Sequence, residues 1–270
     1  MPELPEVEIT RRGVEPFVLG KTITGVIVRN PNLRQRIPRN IARILVGKRV
    51  ERLVRRGKYL LFECDGGLLI VHLGMSGSLR AIDPETPPRK HDHLDIVFGS
   101  TALRLRDPRR FGLVLWNDGD ASGHPLLVKL GVEPLDEQFS PEFLYRVTRG
   151  RDVGVKQLLM NAGIVVGIGN IYANESLFRA GIHPRLRAER LSRARCARLV
   201  AAVRETLLAA LAAGGSSLRD FVHSDGASGY FQQHYYVYDR AALPCRVCGA
   251  AIRVARLGQR SSFYCTTCQK

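Results

Sequence analysis

The chain has 270 residues, 45% of them hydrophobic, enough for two domains that each bury a core. Against 25 Asp and Glu stand 41 Lys and Arg, a formal charge of +16 and an isoelectric point near 10.2, which points to a polyanionic partner and first to nucleic acid. An anionic membrane surface would need a basic amphipathic helix or a lipidation signal, and neither is evident; nor does any stretch approach the roughly 20 apolar residues of a bilayer span.

Residues 1–20 predict a short helix, with Pro5 suited to its first turn and Glu6 and Glu8 complementing the positive end of its dipole. The start, MPELPEVE, lacks the basic and apolar regions of a secretory signal. A small second residue favours removal of Met1, which would leave Pro2 with a secondary amine. An α-amino group titrates at roughly 8, so part of it is a neutral nucleophile near neutral pH. Glu3 lies beside it as a candidate general acid or base. Many chains begin Met-Pro-Glu, so this start says little when taken alone.

From 21 to 117 the texture is β: TITGVIV (22–28), KYLLFEC (58–64), LLIVHL (68–73), HLDIVF (93–98) and ALRLR (102–106) alternate or run apolar between turn residues. Short strands without intervening helices predict an antiparallel sandwich or barrel. Few strands and several Gly and Pro follow, and a linker is placed at 135–150. Beyond it a helix is predicted from the N-cap Ser192 to the Gly214-Gly215 stop, with Cys196, Leu199, Val200, Val203 and Leu207 on one face. Cys196 and Cys64 then read as small core residues, and Arg193, Arg195, Arg198 and Arg204 as a solvated face. Residues 214–240, rich in Gly, Ser and aromatics, read as a mobile loop.

The C-terminus carries Cys245-x2-Cys248 and Cys265-x2-Cys268, two pairs separated by 16 residues. This spacing predicts a closed tetrahedral zinc site, structural in role, with a redox pair or two disulfides as the competing readings. A segment of about 30 residues buries too little surface to fold alone, and zinc would supply the missing free energy. Between the pairs, AIRVARLGQRSSFY alternates as a β-hairpin whose tip carries Arg260.

Taken in order, MPELPEVE, RRGKYLL (55–61), HLGMSGSL (72–79), KHDH (90–93), DPRRFG (107–112), GIGNIYANESLF (167–178), SDGASGYFQQ (224–233) and CRVCG…GQRSSFYCTTCQ resemble the formamidopyrimidine-DNA glycosylase family over nearly the whole chain. The resemblance implies an α+β protein. Its parts would be an N-terminal antiparallel β-sandwich with short flanking helices (1–134), the linker, a helix-two-turn-helix domain with a lesion-capping loop (151–240) and a four-cysteine zinc-finger hairpin (241–270).

It also implies a bifunctional enzyme that excises oxidised purines from duplex DNA and then cuts the strand. Pro2 would be the nucleophile, Glu3 would handle protons, and Lys58 would serve β-elimination. Arg260 would grip the phosphates flanking the lesion. Met75, Arg110 and Phe111 would fill the void left by the flipped nucleotide. Asn170, Lys156, Arg151 and His91 would meet the phosphate backbone; His91 with His93 as metal ligands is a competing idea. One structural zinc, held by Cys245, Cys248, Cys265 and Cys268, is the expected cofactor. Damaged duplex DNA is the expected partner of a cytoplasmic, nucleoid-associated monomer. Two departures from the family pattern are Asn161, where an acidic residue is frequent, and Asp239, where glycine is common. The alternatives are an endonuclease VIII-like enzyme for oxidised pyrimidines, a non-catalytic zinc-stabilised DNA-binding protein, and an RNA-binding zinc protein. The last would leave Pro2, Glu3 and Lys58 without a role.

Overall fold

The computed structural model describes residues 1–120, 123–215 and 235–270, which divide into two compact units. One contains residues 1–128 with the 213–215 turn, the other residues 129–212 and 235–270.

The first unit opens with helix α1 (Leu4–Val18), whose buried residues Leu4, Val7, Val14 and Val18 recur at helical spacing. Ten strands occur among the described residues, and the first eight make two antiparallel sheets. β1 (Gly25–Val28), β6 (Asp92–Phe98), β7 (Thr101–Arg106) and β5 (Ser78–Ile82) form one, in that order. β2 (Val50–Arg56), β3 (Tyr59–Cys64), β4 (Gly67–His72) and β8 (Leu113–Asp118) form the other. One apolar cluster joins both sheets, from Leu60, Phe62 and Leu69 on one to Leu94, Leu103 and Leu105 on the other. Val7, Val14 and Val18 of α1 and Ile41 and Leu45 of the short helix α2 (Ile41–Leu45) complete it. The predicted sandwich is thus present. β2, β5, β8 and α2 add to the predicted elements: the burial patterns of these strands are irregular, so no clean period-2 alternation marks them in the sequence.

Glu8 locks α1 to the sheet. It accepts hydrogen bonds from Arg11, Arg12 and, across 47 residues of chain, Arg55 on β2. Burial works against its charge, but the three guanidinium groups prevail and hold its carboxyl below the ordinary range.

The second unit is helical. α3 (Pro141–Thr148) lies inside the stretch expected as a linker; Ser140 caps it and it packs on α6 (Arg193–Ala212). α4 (Val155–Leu159) and α5 (Asn170–Arg179) flank a turn-rich segment, and β9 (Arg253–Leu257) and β10 (Arg260–Tyr264) form the terminal hairpin. Ser192 accepts the Arg195 N–H at the start of α6, and Cys196 is fully buried, both as expected. On the arginine face of α6, Arg193 and Arg198 are exposed as expected, whereas Arg204 departs from the expectation. Arg204 reaches the carbonyls of Asp136 and Phe139 at 2.7 and 3.1 Å, and Arg193 stacks over Tyr145 at 4.2 Å. Helical periodicity marks which face is polar but not what another segment lays against it. The lesion-capping loop expected around 217–230 lies outside the described residues.

Candidate active site

Pro2 and Glu3 are buried just ahead of α1, with Glu3 as its N-cap. Glu6, fully buried one turn on, accepts the Glu3 N–H at 2.8 Å and so fixes the backbone next to Pro2. Gly215, at φ +78, comes so close that an added Cβ would meet the Glu6 Oε1 at 3.3 Å. Lys58 stands in the two-residue turn with Gly57 that joins β2 to β3.

Beside that turn lies His72, which the motifs leave without a role. Its ring is 4.8 Å from Tyr59, and its Nδ1 accepts the Gly74 N–H at 2.9 Å. Burial, with the nearby charges of Lys58 and Arg34, depresses its pKa to about 4. A neutral imidazole accepting at Nδ1 carries its proton on Nε2.

Met75, Arg110 and Phe111 are brought together by a clasp that the sequence did not reveal. Asp107 is completely buried. One of its carboxylate oxygens accepts the Ser76 hydroxyl at 2.7 Å and the other accepts the Gly112 N–H at 2.8 Å. Its carbonyl accepts from Arg110 N and lies 2.8 Å from His93 Nε2. Ser76 in turn accepts the Arg109 N–H. A side chain at Gly74 would collide with the Phe111 backbone, so only glycine allows the two loops this approach. Arg110 is held at φ +58 and Phe111 is 43% exposed. The backbone that carries Met75, Arg110 and Phe111 is therefore set by buried hydrogen bonds. His91, also at positive φ, has its pKa lowered by burial and by the cations Lys90, Arg106 and Arg110.

In the second unit, Asn170 begins α5 directly after its N-cap Gly169, where backbone N–H groups and the helix dipole favour an anion. The Asn170 Oδ1 is buried without a partner. Arg151 is exposed. Lys156 is placed differently from the expected phosphate contact: it is buried, and its ammonium donates to the Ser261 carbonyl and the Ser262 hydroxyl, each at 2.7 Å. Asn174 accepts the Phe263 N–H, so two helices grip the same strand of the hairpin. Arg260 is exposed where the hairpin turns back through Gly258 and Gln259.

Glu175 is a second buried acid that motif reading passed over. It accepts the N–H groups of Tyr236, Val237 and Tyr238 at 2.8–3.0 Å, anchoring the chain that leads into the metal site. Burial pushes its carboxyl up, and the three N–H bonds and Arg179 pull it back. Only the neighbouring GIGN turn hinted at its importance. Asp239, at φ +57, occupies the left-handed region that favours glycine, which gives the commoner family residue a physical reason.

The four cysteine sulfurs lie within 4.8 Å of one another, with Cys248 and Cys265 at 3.4 Å and Cys245 and Cys268 at 3.9 Å. Tetrahedral zinc with Zn–S of about 2.3 Å sets sulfurs roughly 3.8 Å apart, so the cluster fits one ion with no position left for water. Among the described residues no other group of three or more His, Cys, Asp or Glu is placed for a metal. His93, bonded to the Asp107 carbonyl, is not in such a group.

Family models match along the chain: formamidopyrimidine-DNA glycosylase N-terminal domain at residues 1–114, the H2TH domain of the same enzymes at 130–222, and a zinc finger found in FPG and IleRS at 242–270. Formamidopyrimidine-DNA glycosylases of Aromatoleum aromaticum and Thioalkalivibrio sulfidiphilus are 58% and 55% identical, each pair aligned over 100% of both chains. The crystal structure of MutM (Fpg) from Thermus thermophilus superposes with a TM-score of 0.90 at 38% identity, covering 99% of this chain and 98% of that one. A Lactococcus lactis Fpg variant in complex with Fapy-dG-containing DNA superposes at 0.92 with 33% identity and full coverage of both chains.

Proposed function

The chain belongs to the formamidopyrimidine-DNA glycosylase family, and from that membership we propose that it removes oxidised purines from duplex DNA through a Pro2 Schiff base and then cuts the strand. The observation that carries this reading is the N-terminus itself: Pro2 is buried beside Glu3, whose backbone the Glu6 carboxylate holds. Once Met1 is removed, the Pro2 nitrogen lone pair attacks the sugar C1′. The bond from C1′ to the damaged base breaks, and the base leaves with that electron pair and a proton from an acid, the role given to Glu3. The sugar ring opens to an iminium. Loss of the C2′ proton breaks the 3′ C–O bond, and a further elimination breaks the 5′ C–O bond. Both phosphates depart and water then releases Pro2. Lys58 in its turn is suited to proton transfer or phosphate contact in β-elimination, and the exposed Arg260 to the phosphates in δ-elimination.

Reaching C1′ requires taking the nucleotide out of the stack, at a cost of a few kcal/mol. Met75 and Phe111 can fill the emptied space, while Arg110 offers donors to the acceptors of an orphaned cytosine. The α5 N-terminus with Asn170 and the exposed Arg151 in the second unit, and His91 in the first, are each suited to meet backbone phosphate. Lys156 contributes indirectly, by fixing β10. Zinc, bound by the four cysteines, closes the hairpin and takes no part in bond breaking. Its substrate places the protein with the nucleoid in the cytoplasm, as a monomer.

Borohydride trapping on a duplex with 8-oxoguanine opposite cytosine tests the reading. A covalent band whose linked peptide begins at Pro2 is the expected result. A second reading, turnover of oxidised pyrimidines, is favoured by one observation: a wild-type L. lactis Fpg of TM-score 0.91 to this chain has been crystallised with oxidised-pyrimidine DNA. Equal trapping on an oxidised pyrimidine would support it.

A further inference from the structure

The outer face of the sheet β1-β6-β7-β5 carries a cavity of about 170 Å³ between β5, β7 and the segment 83–91 that crosses them. Its lining holds four guanidinium groups, Arg80, Arg89, Arg104 and Arg106, against the single carboxylate of Asp92. Arg104 forms part of the wall and is itself spent. It is 6% exposed and grips Asp95 with two hydrogen bonds of 2.8 and 2.7 Å, an acid that also takes Arg29 at 2.6 Å. Asp92 is committed as well, accepting the Arg89 N–H at 2.7 Å and lying 3.7 Å from Arg104. Asp92 and Asp95 are thus engaged in holding the wall and the segment in place, while the guanidinium groups of Arg89 and Arg106 add positive charge to the concave lining. The hydroxyl residues Ser78 and Thr86 complete the lining.

From this arrangement we propose that the cavity is a phosphate-binding site, distinct from the residues assigned above to the DNA lesion. Arginine forks match the tetrahedral, multiply accepting oxygens of phosphate better than they match a halide. An anion seated there joins Arg89 on the crossing segment to Arg106 on β7. That segment ends at His91, whose carbonyl accepts the Asp107 N–H, so occupancy also stiffens the connection to the void-filling loops. Two sources carry the same chemistry: a backbone phosphate of DNA running beyond the lesion, and free orthophosphate.

The test compares wild type, Arg106→Ala and Arg106→Lys as full-length, zinc-loaded proteins. Orthophosphate is titrated by calorimetry at constant ionic strength against chloride. Separately, binding of an undamaged duplex is measured as a function of salt. If free phosphate is the ligand, orthophosphate binds wild type and Arg106→Ala weakens it at least about tenfold, with the charge-preserving Arg106→Lys recovering part of the loss. If a backbone phosphate is the ligand, Arg106→Ala lowers the slope of log K against log salt by about 1 and Arg106→Lys keeps it. Arg106→Ala indistinguishable from wild type in both measurements overturns the proposal.

Discussion

The two ends of this chain, which carry the proposed nucleophile Pro2 and the exposed Arg260, are held by different means. At the N-terminus, α1 is welded to a sandwich core through Val7, Val14 and Val18 and through the Glu8–Arg55 contact. The loops of the same unit that carry Met75, Arg110 and Phe111 hang on the fully buried Asp107. At the C-terminus the apolar cluster is small, built on Phe178, Val237, Cys245, Ile252 and Cys265. The hairpin there depends on metal ligands, on two hydrogen bonds from Lys156 and one accepted by Asn174, and the chain leading into it on three accepted by Glu175. A large core can position a group with dispersion and burial. A short terminal hairpin cannot, and uses strong point contacts instead.

The largest expected effects come from attacking each end at its own anchor. Pro2→Gly should reduce base removal by more than about 100-fold, the scale of losing a catalytic group, with the fold intact by circular dichroism. Full turnover would remove Pro2 from the mechanism. Cys245→Ser, or chelation, should release zinc and abolish hydrogen-exchange protection in β9 and β10 while the sandwich strands stay protected. Structural zinc contributes on the order of 10 kcal/mol, so surviving protection would mean that the hairpin is held by something other than metal.

Next in size is Glu175→Gln. Hydrogen bonds to a charged group contribute about 1.5–3 kcal/mol each, and three converge here. The variant should lose exchange protection at the amides of residues 236–238 and lower the melting temperature. Asp107→Ala should cost about 1–3 kcal/mol for each buried group it orphans and relax discrimination between cytosine and adenine opposite the lesion. Asp107→Asn, which keeps an acceptor, should be milder. Retained discrimination in Asp107→Ala would mean that the loops are placed without the clasp.

The smallest effects concern titration and strain. His72 has a folded pKa of about 4 against an ordinary 6.5, so its stabilising preference for the neutral form is complete above 6.5 and is lost as pH falls toward 4. His72→Gln should flatten the stability profile across that window, read by urea denaturation at several pH values. Asp239→Gly should stabilise the second unit by about 1 kcal/mol by relieving left-handed strain, visible as a small rise in melting temperature.

Much of this was legible in the chain alone. The zinc ligands, the amine at Pro2, the β texture of the first half and the long α6 are encoded by residues a few positions apart, where spacing and periodicity act directly on local structure. The partners of buried charges are not local. Lys156 meets Ser261 across 105 residues, Ser76 meets Asp107 across 31, and Glu175 meets Val237 across 62. A lysine that reads as a phosphate contact becomes a strut, an aspartate in a DPRRFG run becomes the clasp of two loops, and an arginine on a polar helix face becomes a cap on distant carbonyls. Burying a charge or an N–H demands a matched partner, and only the folded chain decides which residue, however remote, supplies it.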